Sequence, residues 1–300
     1  MKTKISIFIF VFFIFTSMNL FCQSSGIGGK LHGVGGVIGG PGDVISGAGA
    51  VIGAGESTHS AKEEITPEQE YYLGRAVAAN ILSTYKIWNG NQALTNYLNQ
   101  ICAAITFNSP KPYVYNGYHV AILDSNEINA FATPGGHIFV TKGLINAAKL
   151  EDALAAVIAH EVAHIQLQHG IEAIKNDRFG KAIGTGFVAA GEIFGVSELT
   201  NIFSGSVGEI SKTLINGYPP AQEFSADKTA MSLLASACYN PQSLIDMLQV
   251  LGTAQTAGVG LSKTHPTPVQ RVTEAQKTVG SYRVTDTSSS RQARFNAMTK

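Results

Sequence analysis

Apolar and polar positions divide this 300-residue chain into stretches of different character. Lys2 and Lys4 precede a nearly unbroken run of Ile, Phe and Val from Ile5 to Phe15. The run is shorter than a membrane span and fits the core of a signal peptide over residues 1–22. A cut after Cys22, or after Ser24 or Ser25, starts the mature chain near Gln23, and acylation of Cys22 is the lipoprotein alternative. Bulky Phe21 argues against acylation, and an uncleaved N-terminal anchor is a third reading. Residues 23–62 are glycine-rich with few large side chains to bury, which reads as a flexible tether. His32 and His59 lie in or beside it and read as solvated.

Helical periodicity begins at Thr66-Pro67-Glu68, an N-cap followed by proline at the first helical position. The pattern predicts a helix to Trp88 with Tyr72, Ala76, Ala79 and Leu82 near one face. A second helix, Gln92 to Ile105, carries Leu94, Leu98, Ile101 and Ile105 at helical spacing. The period drops to two over Tyr118 to Leu123, which reads as a strand. The short stretch Asn129 to Ala132 leads into the turn signal Pro134-Gly135-Gly136, and His137 to Thr141 is another strand. Leu150 to His169 is rich in Ala and Leu and free of Gly and Pro, so it reads as one helix. Glu151 and Asp152 sit in its first turn and Gly170 at its C′ position. It is apolar nearly all round, which predicts burial. Gln222 to Cys238 forms a later helix after Pro219-Pro220. Residues 281–300 are polar and serine-rich and read as a disordered tail. A buried helix packed on a small sheet is an α+β arrangement.

Composition adds limits. Apolar content of 45% is ample for a core, while zero formal net charge and a pI near 7.1 leave no basic field for nucleic acid or an anionic membrane surface. Membrane association is expected only through the N-terminus. In an oxidising compartment Cys102 and Cys238 either pair or remain buried thiols.

The chemistry centres on His160-Glu161-Val162-Ala163-His164. On a helix this spacing puts both imidazoles on one face, one turn apart, as two ligands of one zinc ion require. Glu161 lies about 100° around the helix and reaches a water rather than the metal. A third histidine in the register HExxHxxGxxH is absent: Leu167 holds the glycine position, Gly170 the histidine position, and His169 is one place off. The third ligand is then a carboxylate from a later helix, among Glu172, Glu192, Glu198, Glu209 and Glu223. Glu223 stands out, because Asp227 lies four residues on and Ala226, Ala230, Met231 and Leu234 mark that face as buried. Glu223 can ligate while Asp227 accepts a hydrogen bond from a ligating imidazole. His265 either stabilises an oxyanion or is a capping or surface histidine. His137 reads as packed or solvated. Residues 180–217 hold several glycines and are a candidate lid.

These segments together resemble peptidase family M48, the HtpX, BepA, Oma and CAAX prenyl protease type of zinc metallopeptidase. Four motifs in order carry the resemblance: Asn129-Ala130-Phe131-Ala132-Thr133-Pro134-Gly135-Gly136, the helix around His160, Glu223-Phe224-Ser225-Ala226-Asp227, and His265-Pro266 with Arg271. The likeness covers Glu63 to Gly280 and implies a zincin-like (gluzincin) domain over residues 63–280, mostly helical with a small sheet. It implies one Zn2+ per chain on His160, His164 and Glu223, with Glu161 as catalytic base. For His265 it implies an oxyanion stabiliser or a reversible gate. The chain departs from membrane-embedded members in having no later apolar span, and from the BepA type in having only residues 281–300 after the domain. It is similar to a minimal exported member of bacterial type, in the periplasm or cell envelope. The expected function is endopeptidase cleavage of envelope or extracytoplasmic proteins. The rival is a metal-binding envelope chaperone or assembly factor. A protein or peptide substrate must lie straight across the metal, and Asn129, Ala130, Phe131 and Ala132 are the expected sheet edge that receives it as an added strand. Cover of that edge by residues 180–217 is the alternative. On the N-terminal pattern, mass spectrometry of the exported protein is expected to find a mature chain beginning near Gln23. A diacylglycerol adduct on Cys22 would establish the lipoprotein alternative.

Overall fold

Thr66 opens the first helix with a capping box: Gln69 N donates to Thr66 Oγ1 (3.2 Å) and Thr66 N donates to Gln69 Oε1 (2.9 Å). The computed structural model describes residues 65–175, 205, 207–214, 216–255, 265, 268–283 and 288–299. All of them fall in one unit of the chain, His59–Lys300. The expected signal segment, the glycine-rich tether and most of 180–217 lie outside the described residues. So do His32, His59, Glu192 and Glu198.

Helix α1 is Pro67–Thr84 and α2 is Gln92–Phe107. The expected run of α1 to Trp88 is cut short. Tyr85 is extended (φ −108°, ψ 138°), Ile87 forms a bridge to Leu123, and Trp88 N donates to Ile122 O at 2.8 Å. The chain leaves the helix there because the neighbouring strand takes its backbone groups. Strands β1 (His119–Leu123), β2 (Ala130–Thr133) and β3 (His137–Thr141) form one sheet of order β1-β3-β2. β1 runs parallel to β3, and β2 runs antiparallel to it with Ala130 opposite Val140. The turn Pro134–Gly136 joins β2 to β3. Gly135 has φ 76°, and a Cβ there would stand 2.5 Å from Tyr71 Cα, so the turn needs glycine twice over. Glu70 of α1 secures it by accepting from Gly135 N at 3.3 Å.

After α3 (Lys142–Ala147) the chain enters α4, Glu151–Gln166. Every α4 residue from Glu151 to Ile165 is buried, as its all-round apolar surface predicts. α4 is held between β2 and α2 and two later helices, α6 (Pro220–Ser236) and α7 (Gln242–Gln255). One core cluster links α2, the sheet, α4, α6 and α7, and a second links α1 to Phe131, Phe139 and Tyr218. Leu150 to His169 is not one helix. It breaks at Leu167 and Gln168, and α5 is His169–Lys175. The left-handed residue is Gln168 (φ 56°) rather than Gly170, which lies inside α5. The break is pinned from outside, because Gln168 Nε2 donates to Glu70 Oε2 at 2.9 Å.

Helix α8 is Pro268–Val279, and the expected disordered tail is corrected by helix α9, Ser288–Thr299. Arg291 pairs with Asp152 (2.6 Å), and Arg294 donates to both oxygens of Glu151 (2.7 and 3.0 Å). Phe295 is buried beside them. The tail folds because the first turn of α4 offers two buried carboxylates to cations that local composition reads only as polar. Cys102 and Cys238 are free thiols, and only Cys102 is buried, Cys238 being exposed; burial pushes the Cys102 thiol up to about 12, so it stays protonated. Among the described residues no helix is long and apolar enough to cross a membrane. Arg291→Ala leaves Asp152 buried without this cation and is expected to destabilise the fold by about 3 kcal/mol. Urea denaturation checks it. A loss below about 0.5 kcal/mol, the range of an ordinary surface substitution, would mean α9 does not hold α4.

Candidate active site

α4 places His160 and His164 one turn apart with both rings pointing at α6. Their Nε2 atoms are 3.0 Å apart. α6 contributes Glu223, whose Oε2 is 3.5 Å from His160 Nε2 and whose Oε1 is 3.7 Å from His164 Nε2. His265, in the stretch before α8, closes the group, with Nδ1 2.9 Å from Glu223 Oε1 and 3.3 Å from His160 Nε2. One donor atom from each of the four lies within 4.8 Å of the others, and all four residues are buried. Glu161 stands beside them. Its Oε1 is 3.6 Å from His265 Nε2 and has no hydrogen-bond partner among the described residues.

A second ring of contacts holds the first. Asp227 Oδ1 lies 3.0 Å from His160 Nδ1. Arg271 of α8, 1% exposed, donates to Asp227 through Nε (2.8 Å) and Nη2 (2.7 Å), and its Nη1 pairs with Glu223 Oε2 at 2.9 Å. The sequence sets Arg271 in the motif with His265-Pro266 but carries no sign of this task. Two further neighbours were missed. Tyr218 stacks on His164 (centroids 4.2 Å apart, planes at 22°), and His169 Nδ1 lies 3.0 Å from His164 Nδ1. Tyr218 carries no sequence signal beyond preceding Pro219-Pro220.

The electrostatics follow from burial and pairing. Burial opposes ionisation of Glu223, but His265 and Arg271 outweigh it and hold the carboxyl well below its ordinary value. Asp227 is lowered in the same way, with burial opposed by Arg271. Glu161 is shifted up, chiefly by burial. Burial and Arg271 push His160 down, yet the hydrogen bonds of Asp227 and Glu223 prevail and raise it to about 9. Burial and the nearby His160 drive His164 well below its ordinary value. Two imidazoles this close do not both carry charge. Such an acceptor-rich pocket of imidazole nitrogens and a carboxylate has the donor chemistry of a divalent metal centre.

Other expected residues fall elsewhere. Glu172 and Glu209 are exposed, and Glu172 accepts a bond from Gln222. His137 is half-buried and stacks on Tyr71, with ring centroids 5.4 Å apart. Ala130, Phe131 and Ala132 belong to β2, an outer strand by order, and all three are buried. Asn129 O accepts from Thr141 N toward β3, and Asn129 Oδ1 accepts from Ala130 N at 2.9 Å. The first β2 amide facing away from β3 is therefore already partnered. Ala132 and Thr133 line a small cavity together with His164 and Tyr218, which brings the end of β2 beside the cluster.

A helix carrying two histidines and a glutamate, faced by a carboxylate from a later helix over a small mixed sheet, is the layout of a metallopeptidase. The model of Peptidase family M48 matches residues 90–279, and the chain belongs to that family. It is similar to mitochondrial metalloendopeptidase OMA1 of Schizosaccharomyces pombe, 28% identical over 152 residues, which is 50% of this chain and 43% of that protein. It is also similar to the beta-barrel assembly-enhancing protease of Escherichia coli, 25% identical over 228 residues, 72% of this chain and 45% of that protein. The match to OMA1 of Arabidopsis thaliana is 28% over 155 residues, 51% of this chain and 30% of that protein. The chain thus spans less than half the length of these relatives.

Proposed function

We propose that this chain is a zinc-dependent metalloendopeptidase of the gluzincin type, holding one Zn2+ on His160, His164 and Glu223. The observation that carries the proposal is the convergence of two imidazole Nε2 atoms and a buried carboxylate beside a glutamate oxygen with no hydrogen-bond partner among the described residues. That oxygen, buried on Glu161, is the structural sign that something else is meant to meet it. Two nitrogens and an oxygen at this closeness suit zinc.

A zinc ion held there supplies Lewis acidity, polarising a carbonyl and acidifying water. The other tasks fall to side chains. Glu161 takes a proton from the attacking water and passes it to the leaving amine, and its upward shift from burial suits a group that must both accept and release a proton. Asp227 accepts from Nδ1 of His160, so Nε2 is the nitrogen that would give up its proton to meet the metal. Arg271 keeps Asp227 ionised and, together with His265, keeps Glu223 ionised. For His265 the geometry supports the gate. Its Nδ1 stands within the donor set, so the ring must swing out before a water and a substrate carbonyl enter. An extended substrate lies along β2, bonded from Ala132 onward since the amide of Ala130 is taken. Main-chain bonding of that kind makes specificity broad. The N-terminal export pattern, with the name of the beta-barrel assembly-enhancing relative, supports envelope or extracytoplasmic proteins as substrates.

Cleavage of casein by the purified mature chain, abolished by a chelator and restored by zinc, separates this function from a chaperone or assembly role. Glu161→Gln keeps shape but cannot act as base, so turnover is expected to fall by roughly 10²-fold or more with zinc content and melting temperature unchanged. Glu223→Ala is expected to lose zinc while Glu209→Ala keeps it. Near-normal turnover in the Gln variant would sink the mechanism, and stoichiometric zinc in Glu223→Ala would sink the ligand set.

A further inference from the structure

The two proposed metal ligands on α4 are supported from behind by different chemistry. His160 has a carboxylate at Nδ1, from Asp227. His164 has another imidazole, His169, with its Nδ1 at 3.0 Å. A contact between two Nδ1 atoms is favourable only if one donates and the other accepts. The direction can be read from the far end of the chain of bonds. Ser225 Oγ donates to the carbonyl of Gln222 at 2.9 Å, and a carbonyl only accepts. Ser225 has one hydroxyl proton, so toward His169 Nε2, 3.2 Å away, its oxygen accepts. His169 therefore carries its proton on Nε2 and a lone pair on Nδ1. His164 must then donate from Nδ1, which leaves the lone pair of its Nε2 facing His160 and Glu223.

We propose that His169 is a positioning residue that fixes the Nδ1–H tautomer and ring orientation of His164, with Ser225 and the Gln222 carbonyl as its anchor. The inference rests on the metal reading given above. It accounts for the break between α4 and α5. On one straight helix, residues five apart point about 140° away from each other. The left-handed turn at Gln168, pinned by Glu70, swings the start of α5 so that His169 meets the back of His164. α6 then serves both ligands, since Asp227 supports one and Ser225, through His169, the other. His169 is buried and lies against Tyr218, whose ring flanks His164 as well, so both imidazoles pack on one aromatic ring.

The test is zinc affinity of the purified mature chain, measured by competition with a chromophoric chelator. His169→Phe keeps the ring packing and removes the acceptor, and affinity is expected to fall roughly 10- to 100-fold, the usual effect of losing such a partner. His169→Asn puts an amide oxygen near the place of Nδ1 and is expected to restore most of that loss, which a merely structural role would not predict. Wild-type binding with an unchanged constant in His169→Phe would overturn the positioning role alone. A wild-type chain that binds no zinc would overturn the metal reading and this role with it. Nitrogen-15 spectra of the wild-type histidines give a second measurement that needs no variant to fold. His169 is expected as the Nε2–H tautomer and His164 as Nδ1–H, and a proton on His169 Nδ1 would refute the proposal.

Discussion

Arg271 is the cation on which the arrangement depends. It is 1% exposed, and it faces Glu223 and Asp227, both buried, from a third helix. An isolated carboxylate in such surroundings would take up a proton rather than stay charged. With its fork on Asp227 and its remaining nitrogen at Glu223, the guanidinium keeps Asp227 ionised, joins His265 in keeping Glu223 ionised, and fixes where α8 meets α6. An ammonium could not reproduce this, because it lacks the planar fork. Acceptors held ready in a buried site are what a divalent cation requires.

The rest of the fold sets the position of α4. Its first turn is tied by charge: Glu151 accepts from Tyr97, Tyr239 and Arg294, while Asp152 pairs with Arg291. Its last turn is tied by Glu70, which binds the Pro134–Gly136 turn through Gly135 and the helix break through Gln168. A Cβ on Gly74 would run into the Pro134 carbonyl, so α1 and that turn are in contact along their backbones. The helix that presents His160, Glu161 and His164 is thus held at both ends by groups remote from the chemistry. Rigid elements of this kind are the usual support for a site that needs sub-ångström placement.

Much of this was legible in the sequence where the cause is local. The four-residue spacing of His160 and His164, and of Glu223 and Asp227, needs only a helix to bring each pair onto one face. The apolar surround of α4 foretold its burial, and Pro134-Gly135-Gly136 foretold its turn. What escaped has distant causes. The helix break at Gln168 depends on Glu70, 98 residues away, and no glycine marks it. The helix at the C-terminus looks like a polar tail until Asp152 and Glu151, 139 and 143 residues away, are set beside Arg291 and Arg294. α1 stops at Thr84 because Trp88 finds its partner on β1. His169 stays out of register for a third metal ligand, and its place behind His164 depends on the helix break at Gln168.

The central claim is that His160, His164 and Glu223 hold one zinc ion. X-ray absorption at the zinc edge of the purified mature chain tests it most directly. The account predicts one zinc per chain with two imidazole nitrogens and at least one carboxylate oxygen, all at about 2.0–2.2 Å, and loss of that pattern in Glu223→Ala. A sulfur shell at about 2.3 Å, or a zinc signal untouched by Glu223→Ala, would contradict it.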